Sequence, residues 1–159
     1  MSSPLFPPDP NLKQVQLITD GSAIGNPGPG GWACILRHGD HARELYGCEP
    51  ETTNNRMELS AAIHGLRAIK QRCRVEVVTD SEYVKNGITR WIVGWKRNAW
   101  RTSSQQPVKN QDLWEALDAE VDRHETHWTW TKGHADHPDN NRCDELANRA
   151  AREQITNLP

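Results

Sequence analysis

Apolar and β-branched residues run from Gln14 to Ser22, and this pattern predicts a first β-strand. The strand is predicted to stop at Asp20, because Gly21 and the segment 25–31 that follow are rich in glycine and proline. The sequence therefore predicts a buried strand that delivers one carboxylate to a tight turn.

Two further strands are predicted over 31–37 and 41–47, and the short turn between them indicates an antiparallel meander. The polar run 52–55 can cap the helix that follows, from Arg56 to about Lys70, whose apolar residues recur at helical spacing. Glu58 is predicted to lie in the first turn of this helix, where the helix dipole would also stabilise its negative charge.

A fourth strand over 74–79 leads into Thr79-Asp80, so it repeats the strand end predicted at Asp20. A strand, a helix and a second strand form a parallel crossover unit, which would bring the two carboxylates to the same end of one sheet. Ser81 is predicted to cap a short helix that ends at Gly87.

The remaining segments complete an alternating pattern. A helix is predicted to start at 110–112, a strand over 126–131, a polar loop over 132–141, and a last helix near Arg142 that carries Asp144. The predicted fold class is α/β, with a five-stranded mixed sheet flanked by helices, in which three antiparallel strands precede the parallel ones.

The chain has 159 residues, of which 25% are charged and 35% hydrophobic, as is typical of one soluble globular domain. The proline-rich segment 1–11 is predicted to be a disordered leader and not a signal peptide, which leaves the domain at 12–156. No run is long enough to span a bilayer, and the four scattered cysteines argue against a zinc site or a disulfide framework. A cytoplasmic protein with reduced thiols is expected.

The net charge of −2 hides an uneven distribution of charge. The segment from Tyr83 to Gln111 has no acidic residue and six basic ones, and a protrusion near 88–107 places tryptophans among them. Trp91 and Trp95 are four residues apart and share a helical face. They are either packing anchors or supports for a basic surface that follows phosphates, and the missing acids favour the second interpretation.

Four acids, at the predicted strand ends and helix starts, form a candidate constellation: Asp20, Glu58, Asp80 and Asp144. Carboxylates that meet at one place repel and require a cation or protons. Oxygen ligands suit Mg²⁺ or Mn²⁺, and two such ions about 4 Å apart can activate a water and stabilise the leaving oxygen of a phosphodiester. Whether the four acids meet depends on the proposed topology.

Five motifs follow one another in a defined order. They are Thr19-Asp20-Gly21-Ser22 with the loop 25–31, then Thr52 to Leu59, Thr79-Asp80-Ser81, Lys132-Gly133-His134, and Cys143 to Ala147. Together they resemble the bacterial ribonuclease HI family, a type 1 ribonuclease H, from about Leu12 to Arg152. The resemblance implies the ribonuclease H-like fold and a monomer.

The resemblance further implies an endonuclease that hydrolyses the RNA strand of RNA–DNA hybrids with little sequence preference. It would leave 3′-hydroxyl and 5′-phosphate ends and remove RNA primers and R-loops. The four acids match metal-binding catalytic carboxylates, with two Mg²⁺ ions expected in the presence of substrate and Mn²⁺ as a substitute. His134 matches a histidine of a mobile loop that is linked to proton transfer or product release.

Substrate contacts are also implied by the resemblance. Asn26, Asn54 and Asn55 match residues that contact the minor groove, where a hybrid exposes 2′-hydroxyls on one strand, and Thr53 matches a residue that holds a DNA phosphate. The asparagines would also serve as turn and cap residues. The residues that match a basic protrusion on the DNA strand are Trp91, Trp95, Lys96, Arg97 and Arg101.

Two departures from the family pattern are expected to lower the affinity for the hybrid. Glu82 stands where relatives commonly carry glutamine, and the segment 102–106 in the protrusion is neutral. We therefore expect weaker and more salt-sensitive hybrid binding. Two alternatives remain open: a hybrid-binding module without chemistry, and a nuclease of the same fold that acts on DNA. The presence of all four acids and of His134 argues against the first, and the three asparagines with the basic tryptophan-rich insertion argue against the second.

Overall fold

The computed structural model describes residues 11–132 and 137–159. The strands are β1 Gln14–Ala23, β2 Gly28–His38, β3 His41–Thr52, β4 Arg74–Thr79 and β5 Glu125–Trp130. The helices are α1 Asn54–Ala68, α2 Glu82–Asn86, α3 Ile92–Arg97, α4 Gln111–Asp122 and α5 Pro138–Glu153. A π-helical turn, Gly87–Trp91, joins α2 to α3. The predicted leader lies outside the described residues except for its last position, Asn11.

Within the described residues, the five strands form one mixed sheet in the order β3-β2-β1-β4-β5. The first three strands pair antiparallel, whereas β1 pairs with β4 and β4 with β5 in parallel. This arrangement confirms the predicted fold class. The β1–β4 ladder ends where Thr19 lies opposite Thr79, and both threonines are fully buried.

The predicted end of β1 at Asp20 is wrong, because β1 continues to Ala23. Beyond Thr19 the strand leaves β4 but keeps its antiparallel partner, since Gly21 pairs with Trp32 and Ala23 with Gly30. The glycine-rich segment predicted as a loop is in fact half strand, because β2 already begins at Gly28. The antiparallel part of the sheet therefore extends past Asp20, whereas β4 ends before Asp80 as predicted.

Boundaries elsewhere also differ from the prediction. β3 continues to Thr52, since Thr52 pairs with Gly28 across an irregular register. α1 begins at Asn54 under an N-cap at Thr53, which puts Glu58 in the second turn and not in the first. α5 begins at Pro138, where the His137 side chain accepts a hydrogen bond from the Asn140 amide, so Asp144 also lies beyond the first turn.

The sheet separates two apolar layers because neighbouring residues of a strand face opposite sides. Leu17 of β1 packs in the core beneath α1 and α4, and Ile18 packs on the other side against Cys143 and Ala147 of α5. The central strand is therefore packed against helices on both faces. None of the helices in the described ranges has the length and apolar character that crossing a membrane requires.

The protrusion is more helical than predicted. α2, the π-helical turn and α3 follow without a break, and Ser81 caps α2 by accepting a hydrogen bond from the Val84 amide at 3.1 Å. Trp114 of α4 occupies the space beside Gly87, where an added Cβ would lie 2.0 Å from the indole. The wide helical turn therefore accommodates a tryptophan from the neighbouring helix.

Replacement of Gly21 by alanine is expected to destabilise the protein by at least about 2 kcal/mol. A Cβ at this position would lie 2.4 Å from the carbonyl carbon of Met57 and 2.6 Å from the amide of Glu58, which are backbone atoms that cannot move aside without shifting α1. Urea unfolding of Gly21→Ala measures the effect.

The matched control is Gly94→Ala, because nothing lies within 4 Å of a Cβ added to this helical glycine of α3. Because alanine has a higher helix propensity than glycine, Gly94→Ala should stabilise the protein by about 0.5–1 kcal/mol. Equal stabilities of Gly21→Ala and the parent protein would contradict the close approach of α1 to β1.

Candidate active site

Two of the predicted acids lie side by side at one end of the parallel ladder. Asp20 follows Thr19 in β1, and Asp80 follows Thr79, the last residue of β4. Asp20 is only 4% exposed, and its Oδ1 accepts a hydrogen bond from the Gly21 amide at 2.8 Å. The backbone carbonyl of Asp80 accepts a hydrogen bond from the Trp130 indole at 3.1 Å, which fixes the turn between β4 and α2.

The third acid, Glu58, reaches the same place from α1. The helix backbone at Met57 and Glu58 lies against Gly21, so the missing Cβ of this glycine allows the helix to approach β1 directly after Asp20. The packing of α1 against the sheet thus adds the Glu58 carboxylate to those of Asp20 and Asp80.

Asp20, Glu58 and Asp80 form a cluster that could hold a metal ion. One carboxylate oxygen from each residue lies within 4.8 Å of the other two. In addition, Oε2 of Glu58 and Oδ1 of Asp80 are buried and have no hydrogen-bond partner within the structure. Buried polar atoms are rarely left unsatisfied, and oxygen donors are the ligands that hard divalent cations take. The residues present therefore fit a cation of this class.

The proton affinities of the cluster reflect the same crowding. Burial, reinforced by the charge of Asp80, raises the pKa of Asp20 to about 8. Burial followed by the charges of Asp20 and Asp80 raises the pKa of Glu58 well above its ordinary value, and burial also raises the pKa of Asp80. Without a cation, the folded protein thus favours protons on these carboxyl groups.

The fourth predicted acid, Asp144, lies close to the cluster but is placed differently. Its charge contributes to the raised pKa values of Asp20 and Asp80, yet its side chain is exposed on α5. Its Oδ1 accepts a hydrogen bond from Nδ2 of Asn148 at 3.3 Å. The structure therefore brings together three of the four predicted acids and leaves Asp144 beside them.

The predicted groove residues meet at the start of α1. The Asn54 amide donates to Oδ1 of Asn26 at 3.0 Å, and Oδ1 of Asn54 accepts from the Ala23 amide at 2.6 Å. Thr53 caps α1 through a 3.3 Å hydrogen bond from the Arg56 amide, and Asn55 is exposed in the first helical turn. These residues perform the turn and cap roles that their types predict.

The predicted protrusion residues divide into packed and exposed groups. Trp95 is half-buried, with ring centroids 6.0 Å from Trp91 and 5.3 Å from Trp114, whereas Trp91 itself is 40% exposed. Lys96 is exposed but forms a 3.0 Å ion pair with Asp118 of α4. The remaining members of the predicted set are exposed: Glu82, Arg97 and Arg101.

Sequence reasoning missed a polar network that joins α1 to α2 and to the start of α4. The Arg56 guanidinium donates to Asn110 at 3.3 Å and to Asp112 at 2.7 Å. Asn110, which has a left-handed backbone with φ +61°, in turn donates to the Tyr83 hydroxyl at 3.0 Å. These partners lie 27 to 56 residues apart in sequence, so no local pattern could have indicated the network. Predicted His134 lies outside the described residues.

Comparison with known proteins decides the family. The sequence matches the family model described as RNase H over residues 12–152. The chain belongs to the ribonuclease H family. Ribonuclease H of Solibacter usitatus is 68% identical over 143 residues, which make up 90% of this chain and 98% of that protein. Ribonuclease HI of Neisseria meningitidis serogroup B is 61% identical over 137 residues, or 86% of this chain and 94% of that protein.

A solved structure agrees with the sequence relatives. LC9-RNase H1, described as a type 1 RNase H with the type 2 active-site motif, has a TM-score of 0.85 and 34% identity, covering 94% of this chain and 77% of that one. The resemblance to bacterial ribonuclease HI is thereby confirmed. The chain is an enzyme of the ribonuclease H class, an endoribonuclease that acts on RNA–DNA hybrids, and its acidic cluster could bind the divalent metal on which this family depends.

Replacement of Asp20 by asparagine is expected to stabilise the metal-free protein at high pH. Because the folded state raises the pKa of Asp20 to about 8, the stability due to its neutral form is present below its ordinary value of 3.8 and is lost as the pH rises through about 8. An amide cannot ionise, so Asp20→Asn should be more stable than the parent by about 1–3 kcal/mol at pH 9.

Urea unfolding in EDTA at pH 9 and pH 4 measures this gain, which should shrink strongly at the lower pH. Glu145→Gln is the control, because the side chain of Glu145 on α5 is 71% exposed and its removal should change stability little at either pH. A gain from Asp20→Asn of the same size at both pH values would show that ionisation of Asp20 is not its cause.

Proposed function

We propose that the protein is a metal-dependent endonuclease that hydrolyses the RNA strand of RNA–DNA hybrids to 3′-hydroxyl and 5′-phosphate ends, with little sequence preference. The supporting observation is the pair of buried, unpartnered carboxylate oxygens of Glu58 and Asp80 beside Asp20. Burial of such oxygens without a hydrogen-bond partner or a bound ligand costs free energy.

Asp20, Glu58 and Asp80 would hold Mg²⁺, with Asp144 completing the set and Mn²⁺ as a substitute. When bound, two such ions activate a water and stabilise the charge on the leaving oxygen of the phosphodiester. The contribution of the chain is geometric, since two neighbouring parallel strands and α1 bring three carboxylates together before any substrate arrives. His134 is proposed to move a proton or assist product release.

Substrate choice is proposed to depend on the groove residues at the start of α1. The side-chain oxygens of Asn26 and Asn54 accept hydrogen bonds from backbone amides. These bonds fix the orientation of both side chains, and with it the direction in which their NH₂ groups point. With Asn55, these amides can bond to 2′-hydroxyls, which only the RNA strand of a hybrid carries. Thr53 would hold a DNA phosphate nearby. Such contacts read the type of strand and not the base sequence.

The basic protrusion is proposed to contact the DNA strand. Arg97, Arg101 and the exposed edge of Trp91 are available to phosphates and sugars, while Trp95 packs behind them. Because Lys96 is paired with Asp118, its charge is partly compensated. We further propose that the protein is a cytoplasmic monomer and that its role is to remove RNA primers and R-loops, which is consistent with a hybrid substrate.

Cleavage of a labelled RNA–DNA hybrid, beside matched RNA and DNA duplexes, tests the proposed function. The parent protein should cut only the RNA strand of the hybrid, in Mg²⁺ and not in EDTA. Asp20→Asn should lower the rate by at least about 10²-fold while it keeps hybrid binding, because the amide has the shape of the carboxylate without its charge. Glu145→Gln, at an exposed site, should cut like the parent.

Three results would contradict the proposal. Near-parental cleavage by Asp20→Asn would remove the metal assignment. Tight hybrid binding without cleavage by the parent would leave a binding module. Cleavage of double-stranded DNA in preference to the hybrid would indicate a DNA nuclease of the same fold.

Replacement of Glu82 by glutamine is expected to tighten hybrid binding by about two- to fivefold in low salt. Glu82 is exposed in the first turn of α2, two residues after Asp80, so its charge would face the phosphates that approach the cluster. Titration of a labelled hybrid at two salt concentrations, with Ca²⁺ in place of Mg²⁺, measures the affinity. The gain should diminish in high salt, because screening weakens the repulsion.

Glu76→Gln is the matched control for Glu82→Gln. Glu76 is an exposed acid of β4 that accepts a 2.9 Å hydrogen bond from Gln16, three register positions before the ladder ends at Thr79. It should leave hybrid affinity unchanged. An unchanged affinity in Glu82→Gln, even after lysines are introduced at Ser103 and Ser104, would refute the idea that these departures weaken binding.

A further inference from the structure

The four predicted carboxylates are not held equally firmly. Asp20 is buried and hydrogen-bonded to the adjacent amide, and Glu58 and Asp80 each have a buried carboxylate oxygen. Asp144 instead projects from an exposed position of α5, where its side chain would be free to adopt several rotamers. An exposed carboxylate beside a metal cluster therefore needs a further contact if it is to act in one orientation.

A hydrogen-bonded chain supplies that contact. Oγ of Ser22 in β1 donates to Oδ1 of Asn148 at 3.0 Å, and Nδ2 of Asn148 donates to Oδ1 of Asp144 at 3.3 Å. The first bond fixes which end of the amide faces the strand, so the second necessarily presents an N–H to the carboxylate. Asn148 lies one helical turn after Asp144, which puts both side chains on the same face of α5.

We propose that Asn148, oriented by Ser22, is a positioning residue that holds the carboxylate of Asp144 towards the metal cluster. The inference rests on the proposed function, because it assigns a role within the same site. Ser22 lies two residues after Asp20 in β1 and therefore shares its side of the strand. The chain of hydrogen bonds thus ties Asp144 to the strand that carries Asp20.

The chemistry of an amide suits this role. Asn148 donates one hydrogen bond to Asp144 and brings no charge, so the carboxylate remains available to a cation. A lysine or arginine at the same position would form an ion pair with Asp144 and compete with the metal for its charge. Orientation by neighbouring groups that do not themselves bind the ion is a general requirement of metal sites.

Packing of α5 does not account for the contact. Apolar residues of α5 hold it against the sheet, since Cys143, Leu146 and Ala147 pack in one cluster with residues of the strands, and Ala150 and Ala151 are also buried. Asn148 lies beside this face and is half-buried, and Ser22 is also half-buried. Removal of the Asn148 amide should therefore leave the helix in place and release Asp144 alone.

Calorimetric titration with MnCl₂ at 25 °C, together with Mg²⁺-dependent hybrid cleavage, tests the role of Asn148. Asn148→Ala and Ser22→Ala should each bind Mn²⁺ about tenfold more weakly and require more Mg²⁺ for half-maximal cleavage. Ser22→Thr keeps the hydroxyl and should bind Mn²⁺ like the parent. Melting temperatures of all variants in EDTA should match that of the parent, which separates positioning from folding.

The double variant Ser22→Ala/Asn148→Ala tests whether the two residues act in series. If Ser22 acts through Asn148, the double variant should bind Mn²⁺ no more weakly than Asn148→Ala, whereas additive losses would overturn the proposed chain. The control is Arg149→Gln, one residue further along α5, where the arginine pairs with Glu153 at 3.1 Å. It should retain parental Mn²⁺ affinity.

The failure of this inference can be distinguished from the failure of the proposed function. Parental Mn²⁺ affinity and Mg²⁺ dependence in both Asn148→Ala and Ser22→Ala would overturn the positioning role while the metal site stands. Absence of Mn²⁺ binding and of metal-dependent cleavage in the parent itself would overturn the metal site and the positioning role together.

Discussion

The parallel pairing of β1 with β4 is the constraint on which the site depends. The ladder ends with Thr19 opposite Thr79, both fully buried, so the next residue of each chain segment is an aspartate at the same height. A shift of one residue in this register would turn Asp20 to the other face of the sheet. The buried positions Leu17 and Ile18, which face two different cores, prevent such a shift.

The acidic cluster opposes the stability of the fold that contains it. Burial and mutual repulsion raise the pKa values of Asp20, Glu58 and Asp80, which means that each charge costs free energy in the folded state. The sheet and the helix against Gly21 are rigid enough to hold these groups together nonetheless. Strain of this kind is typical of places where a ligand is bound, and a divalent cation would convert the repulsion into attraction.

The sequence was sufficient to predict the order of the elements and the meeting of Asp20 with Asp80, because both follow from apolar strands in a crossover unit. It failed at Gly21, which we read as a strand end. In the structure Gly21 lies within β1, and its missing side chain allows α1 to approach the strand. Only the tertiary contact with Met57 shows this role. Asn148 was within reach of sequence reasoning, since it lies four residues after Asp144 on a predicted helix. Its partner Ser22, 126 residues away, was not.

Electrostatic balance around the cluster bears on how a polyanion can approach it. A nucleic acid must bring phosphates towards carboxylates, and the repulsion has to be offset by bound cations or by basic side chains nearby. The protrusion provides Arg90, Arg97 and Arg101, but Lys96 is paired with Asp118 and Glu82 adds a negative charge at the start of α2. Because part of this basic surface is compensated, bound metal ions would add to the attraction. Hybrid binding should then depend on divalent cation more steeply than it would in a protein with a strongly basic protrusion.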